Sequence, residues 1–309
     1  MQEKTYEIIS EIKKVIHGKD GIIKMMLSGI LAKGHVLLED IPGVGKTTLA
    51  LAMSRALSLK YGRVQFTPDV MPGDLLGFNM YDPSSSSFKF VEGSVYVNLF
   101  LADEINRTSP KTQSALLEVM EEGRATVEGK TRNMPDPFFV IATQNPFGSS
   151  GTQKLPESQL DRFMICLTMG YPDRKSAIDV LKGDSKADIE EVRPVVSAED
   201  ILVMQKEAGS VFVDDSLYDY IVRICEQTRD GRFFEMGLSP RASIALMKMA
   251  MANAYLRGSD HVIPEDIHEV FFPVSCHRLK LNPLCRADGT DLKSALDRIL
   301  DEVCIPKIN

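Results

Sequence analysis

The segment Asp40-Ile41-Pro42-Gly43-Val44-Gly45-Lys46-Thr47-Thr48 restricts the possible folds of this chain more than any other. An apolar run, Val36-Leu37-Leu38, precedes it, and a helical pattern, Leu49-Ala50-Leu51-Ala52-Met53, follows. A strand, a glycine loop ending in Gly-Lys-Thr and a helix are the parts of a phosphate-binding loop. Gly43 and Gly45 let backbone N–H groups turn inward around phosphate oxygens, and the following helix points its positive end at the same anion. Lys46 would neutralise the β/γ-phosphates, and the Thr47 hydroxyl would hold Mg²⁺. Pro42, Val44 and Thr48 complete the expected nucleotide-contacting loop. Asp40 stands where G-x-x-x-x-G-K-[ST] has its first glycine. Aspartate tolerates left-handed backbone angles better than most residues, so the loop is still expected to form.

A phosphate cradle hydrolyses nothing by itself. Asn98-Leu99-Phe100-Leu101-Ala102-Asp103-Glu104 reads as a buried strand of a parallel sheet with two consecutive acids at its C-terminal end, where open α/β sheets bind ligands. Asp103 would face the Mg²⁺ shell and Glu104 would orient or deprotonate the attacking water. Standing alone, the pair would read as a solvated acidic turn; the upstream loop favours the catalytic reading. A third buried run, Phe138-Phe139-Val140-Ile141-Ala142-Thr143, ends in Gln144-Asn145-Pro146. Asn145 is either a group that hydrogen-bonds the water or the γ-phosphate, or a plain Asn-Pro turn.

Composition narrows the classes. The 309 residues, 44% hydrophobic and 26% charged, suit an ordinary globular chain of one large or two smaller domains. No apolar run approaches the ~20 residues of a membrane span, and Met1-Gln2-Glu3-Lys4-Thr5 lacks the apolar core of a signal peptide, so a cytoplasmic setting is expected. The five cysteines are far apart in sequence and are expected to be idle thiols rather than disulfides or a zinc site. A net charge of −7 argues against a large nucleic-acid surface.

The blocks Asp103-Glu104-Ile105-Asn106-Arg107, Lys111 to Glu122, Ala142-Thr143-Gln144-Asn145-Pro146, Leu155 to Phe163 and Ser239-Pro240-Arg241-Ala242 together resemble the MoxR group of AAA+ ATPases, over about Ile16 to Leu279. The resemblance implies an α/β P-loop core with a parallel sheet, of the clade with a helix-2 insert, followed by a small all-helical lid. It places Asn145 at the sensor-1 position and Arg162 as an arginine finger reaching a neighbouring subunit. Arg241 falls at sensor 2, contacting the γ-phosphate in cis, and Val15-Ile16-His17-Gly18 packs against adenine through Ile16 and Gly18. His17 reads as a partly exposed helix-end residue. A supplied arginine is worth ~10³-fold or more in phosphoryl transfer. If Arg162 acts in trans, a closed ring follows, and the family implies a hexamer.

Residues 1–170 are expected to form the core and 171–309 the lid, with a hinge near Gly170. Within the core, Thr67 to Gly77 reads as a short helix framed by proline and glycine. Asn79 to Asp82 and Phe88 to Val91 flank a serine turn as a hairpin matching the insert, and Phe88 and Phe90 give it an apolar face. A second hairpin, Arg124 to Val127 with Thr131 to Met134, carries Arg124, Lys130 and Arg132 as a basic edge. Later helices are expected over Ser197–Ala208, Asp214–Asp230, Ser239–Arg257, Pro264–Val270 and Asp291–Val303. Their apolar faces are Ile221, Ile224 and Cys225 in one helix and Ile244, Met247 and Met251 in another.

The expected function is a ring-forming, Mg²⁺-dependent ATP hydrolase that remodels or activates a protein partner. The resemblance implies a protein with a von Willebrand factor A domain as that partner. The alternatives are a nucleic-acid-associated motor and a magnesium-chelatase-like metal-insertion subunit.

Overall fold

A computed structural model describes residues 3–41, 43–145, 154–171, 174, 178 and 189–307. Pro42 and Pro146 lie outside the described residues. Five short runs form one sheet: β1 (Val36–Glu39), β2 (Tyr61–Gln65), β5 (Leu99–Asp103), β8 (Phe139–Gln144) and β9 (Ile165–Leu167). Their order is β2-β5-β8-β1-β9, and every pairing is parallel. β5 and β8 are buried throughout, which is why each reads as a continuous apolar run. β2 is an edge strand that mixes Gly62, Arg63 and Gln65 with its apolar residues, so no run announces it. β8 sits between β1 and β5, with Leu38 level with Thr143 and Ala102 level with Ala142. The chain therefore leaves all three strands at one edge, with neighbouring strands about 4.8 Å apart.

Two helices, α1 (Glu3–Lys13) and α2 (Asp20–Leu31), precede the sheet, and α3 (Lys46–Ala56) follows the phosphate loop and buries Leu49, Ala50 and Met53. The short α4 (Pro72–Leu76) leads into the hairpin β3 (Phe78–Asp82) and β4 (Ser87–Val91). α5 (Pro110–Glu122) starts at Ser109, whose hydroxyl accepts from the Thr112 N–H, and stops at Gly123 in the left-handed conformation. The hairpin β6 (Arg124–Val127) and β7 (Lys130–Asn133) follows, and α6 (Glu157–Leu160) precedes β9. Half-buried His35 ties α5 to the sheet. It donates from Nε2 to the Met120 carbonyl at 2.8 Å and accepts the Val140 N–H at Nδ1, and burial lowers its pKa to about 4, so it is neutral.

The remaining described elements are helical: α7 (Ala198–Ala208), α8 (Asp215–Gln227), α9 (Pro240–Leu256), α10 (Pro264–Ser275), α11 (Pro283–Ala287) and α12 (Leu292–Glu302). Ser197, Asp214, Ser239 and Asp291 cap four of them through their side-chain oxygens. Ile221, Ile224 and Cys225 are buried as expected. Ile244 is not: it is 53% exposed, because α9 buries Ala242, Ala245, Leu246 and Met249 instead. α10 passes Val270 and carries Pro273 inside it, its last turn held by buried Val274 and Ser275. One apolar cluster joins Leu38 and Leu49 of the α/β part to Ile201, Leu246 and Ile299 of the helical part. At that junction Gln205 donates to the Ile30 carbonyl at 2.8 Å.

All five cysteines are free thiols, and two of them come together in the fold. Cys166 on β9 and Cys276 just after α10 meet where helix rests on sheet, with the Cys276 thiol 3.6 Å from the Cys166 carbonyl. The fold closes a separation of 110 positions that made them look unrelated. Among the described residues, no helix is long and apolar enough to cross a membrane.

Candidate active site

The phosphate loop bridges β1 and α3. Gly43 and Gly45 take φ of +85° and +92°. A Cβ on Gly43 would meet open space, so the backbone angle, not crowding, calls for glycine there. The Lys46 ammonium donates to the Asp40 carbonyl at 2.9 Å. Burial lowers its pKa, while the carboxylates of Asp40, Asp103 and Glu104 push it back up. Lysine and both candidate catalytic acids thus share one electrostatic neighbourhood.

Asp40 does not use the left-handed conformation that its residue type tolerates. It is 5% exposed, and its carboxylate accepts the Ile41 N–H at 2.9 Å and the Gly170 N–H at 2.7 Å. Gly170 itself takes φ +63°. The position is therefore a tether between the phosphate loop and the segment leaving β9. Asp40→Ala should destabilise the fold by about 2 kcal/mol, since hydrogen bonds to a charged group contribute about 1.5–3 kcal/mol each. It should also weaken ATP binding; thermal unfolding with and without nucleotide reads both. An unchanged Tm would mean that the tether carries no stability.

The stretch expected to pack against adenine converges on the same place. Ile16 is buried and Gly18 takes φ +67°. The next residue, Lys19, donates to the carbonyls of Met169 and Tyr171, and the Met169 side chain lies 3.8 Å from where a Cβ on Gly45 would stand. Lys19 and the carboxylate of Asp40 thus clamp 169–171 from two sides. Neither role was visible in sequence, because both partners are backbone groups some 130 to 150 positions away.

At the end of β5, Asp103 accepts the Thr143 hydroxyl at 2.7 Å and pairs with Arg63 of β2 at 2.7 Å. Thr143 in turn accepts the Glu104 N–H at 2.8 Å. Glu104 holds φ 58° and ψ 47°, a left-handed conformation costing a residue with Cβ about 1–2 kcal/mol. Strain of this kind persists where surroundings fix it, commonly at functional positions. Arg107 holds the Glu104 carboxylate at 2.8 Å. Asn145 follows β8 between the other two loops, and its carbonyl is 3.5 Å from the Asn106 amide. Thr143, Arg63 and Arg107 were missed as site residues. The available signal was a hydroxyl ending an apolar strand, level with the two acids.

Arg162 and Arg241 lie elsewhere. Arg162 precedes Ile165, which is level with Val36 at the start of β1, whereas the phosphate loop follows Glu39 at its end. Arg162 therefore stands at the opposite edge of the sheet. It donates to the Leu117 carbonyl at 3.0 Å and pairs with Glu121 of α5 at 2.6 Å. Arg241 pairs with the other oxygen of the same Glu121, and Ser239 at the start of its helix donates to Asp161 at 2.9 Å. The structure does not bring Arg241 to the phosphate loop of its own chain: α9 is anchored at the Arg162 edge and holds Arg241 there. The buried Arg162 Nε has no hydrogen-bond partner among the described residues. A groove of about 650 Å³, lined in part by Leu117, Glu118, Glu121, Arg124 and Arg162, opens on this edge.

The basic edge expected on the second hairpin is largely spent internally. Arg124 pairs with Glu122 at 2.9 Å, and Arg132 stacks over Phe90 of the first hairpin at 3.4 Å. The first hairpin has apolar residues on both faces. Phe88 is 71% exposed, and Phe78, Met80 and Tyr81 are exposed with it.

Comparison with known proteins agrees with this architecture. The sequence model of the ATPase family associated with various cellular activities (AAA) matches residues 35–165, and that of the AAA lid domain matches residues 226–302. The chain is an AAA ATPase, an ATP hydrolase with a helical lid. The uncharacterized protein YeaC of Bacillus subtilis is 46% identical over 96% of this chain and 93% of its own. Chaperone MoxR1 of Mycobacterium tuberculosis is 39% identical over 97% of this chain and 82% of its own. A crystal structure of a proposed ATPase from Cytophaga hutchinsonii superposes with a TM-score of 0.91 at 37% identity, covering 99% and 96% of the two chains. Within the AAA class, the chain belongs to the MoxR family.

Proposed function

We propose that this chain forms a ring in which each ATP is bound by one subunit and hydrolysed with arginines from the next. The placement of Arg162 and Arg241 at the edge of the sheet opposite the phosphate loop carries this reading. Gly43, Val44, Gly45, Lys46, Thr47 and Thr48 hold the phosphates, together with Pro42, and Ile16 and Gly18 line the base. The hard oxygen donors at the site, the Thr47 hydroxyl and the Asp103 carboxylate, fit Mg²⁺. Bound there, Mg²⁺ supplies charge neutralisation of the β- and γ-oxygens. Thr143 fixes the backbone of Glu104, and Glu104 accepts a proton from water aligned by Asn145. Arg162 and Arg241 are held by Glu121 until a neighbouring γ-phosphate competes for them. The tethered segment at Gly170 then serves as the hinge between a core and a lid.

The work done by the cycle is remodelling of a protein client. The relative named Chaperone MoxR1 supports this, and the exposed aromatic hairpin offers a surface to grip an apolar segment. A protein with a von Willebrand factor A domain is the expected partner, on the strength of the family resemblance.

Calorimetric titration of diluted subunits with ATP tests the division of the site. Lys46→Ala should lose binding, and Arg241→Ala should bind as the unaltered chain does. A tenfold loss of affinity in Arg241→Ala would return that arginine to its own subunit's site.

A further inference from the structure

We propose that Cys166, Cys276 and His277 form a binding site for one thiophilic metal ion of the zinc(II) class, joining the lid helices to the edge of the sheet. Among the described residues, one ligand atom from each of these three side chains lies within 4.8 Å of the others. Zinc bonds of about 2.3 Å to sulfur and 2.0–2.1 Å to nitrogen require ligand atoms roughly 3.6–3.8 Å apart. The preformed cluster therefore needs to close by about 1 Å at most.

The imidazole supplies the second, independent observation. His277 is 8% exposed, and its Nε2 lies 3.1 Å from the Phe163 carbonyl. A carbonyl only accepts, so Nε2 carries the hydrogen and Nδ1 carries a bare lone pair. That Nδ1 is buried with no hydrogen-bond partner among the described residues. A ring nitrogen fixed by a backbone carbonyl, with the other nitrogen left to ligate, is how metal-binding histidines are commonly held. Two thiolates and a divalent ion sum to zero charge, so the occupied site places no net charge in the interior. Cys276 is only half-buried, which leaves a path for the ion and room for water as a fourth ligand.

The placement gives the ion a structural consequence. Cys166 belongs to β9 of the sheet, and Cys276 and His277 follow α10 of the helical part. His277 and Arg278 both grip the segment before β9, Arg278 pairing with Asp161 at 2.7 Å. An ion here would staple the helices to that segment, which also carries Arg162.

The test uses the full chain, reduced, freed of metal by dialysis against a chelator and titrated with cobalt(II) as a coloured stand-in for zinc. Thiolate-to-cobalt charge-transfer absorption should saturate at about one equivalent per chain and be bleached by one equivalent of zinc. The double variant Cys285→Ser/Cys304→Ser should retain it. Cys276→Ser, at the half-buried position where folding is least at risk, should lose it. Zinc should raise the Tm of the unaltered chain and leave that of Cys276→Ser unchanged. The proposal is overturned if the reduced, unaltered chain shows no such band, or if the band survives in Cys276→Ser. A Cys166–Cys276 disulfide found in a chain without the band would mark the pair as a redox couple instead.

Discussion

Glu104→Gln should bind ATP with unchanged affinity and hydrolyse it about 10²–10⁴-fold more slowly, the range a positioned general base contributes. The substitution keeps the size of the side chain and removes only its capacity to take a proton. The backbone that aims it is held independently, by the Thr143 hydroxyl on the Glu104 N–H, so the left-handed turn should survive. Asp103 keeps both of its own partners, Thr143 and Arg63. A steady-state phosphate-release assay beside calorimetric ATP titration separates chemistry from binding. Hydrolysis at the unaltered rate would remove Glu104 as the base and leave its strained geometry without a catalytic purpose.

The second large effect is that of Arg162→Ala, which should lower turnover about 10³–10⁵-fold, the scale of an arginine finger, with ATP affinity intact. In the folded chain Arg162 meets Leu117 and Glu121, not nucleotide-site residues, and the register of β9 against β1 puts the length of the sheet between it and Lys46. On the proposed ring mechanism, a finger so placed completes a neighbour's site. Mixing Arg162→Ala with Lys46→Ala should therefore restore part of the activity, because some interfaces pair an intact phosphate loop with an intact arginine. Far-ultraviolet circular dichroism and Tm guard against a folding defect. A well-folded mixture that stays inactive contradicts action in trans.

The sequence was most legible where chemistry and periodicity coincide. The phosphate loop, the acids of Asp103-Glu104 and the buried runs of β5 and β8 were all readable, since glycine angles and continuous apolar strands leave local marks. The helix starts expected at Ser197, Ser239 and Asp291 likewise fell within a residue of the observed ones. What could not be read depends on distant partners. Asp40 looked like a tolerated substitute for glycine and is instead a tether to Gly170, 130 positions on. The pairing of Arg241 with Glu121 of α5 was equally invisible, because the resemblance gives a motif position but not the direction in which the lid leans. Ile244 shared a helical face with Met247 and Met251, yet α9 is apolar almost all round, so periodicity could not choose which face turns inward.

The account stands or falls on the shared site, and the most direct measurement is molecular mass by light scattering, with and without ATP, alongside ATPase rate against subunit concentration. It predicts a nucleotide-promoted assembly near six subunits, with specific activity rising as the ring forms. A chain that stays monomeric, with specific activity independent of concentration, would show that Arg162 and Arg241 complete no neighbour's site and would contradict the ring mechanism.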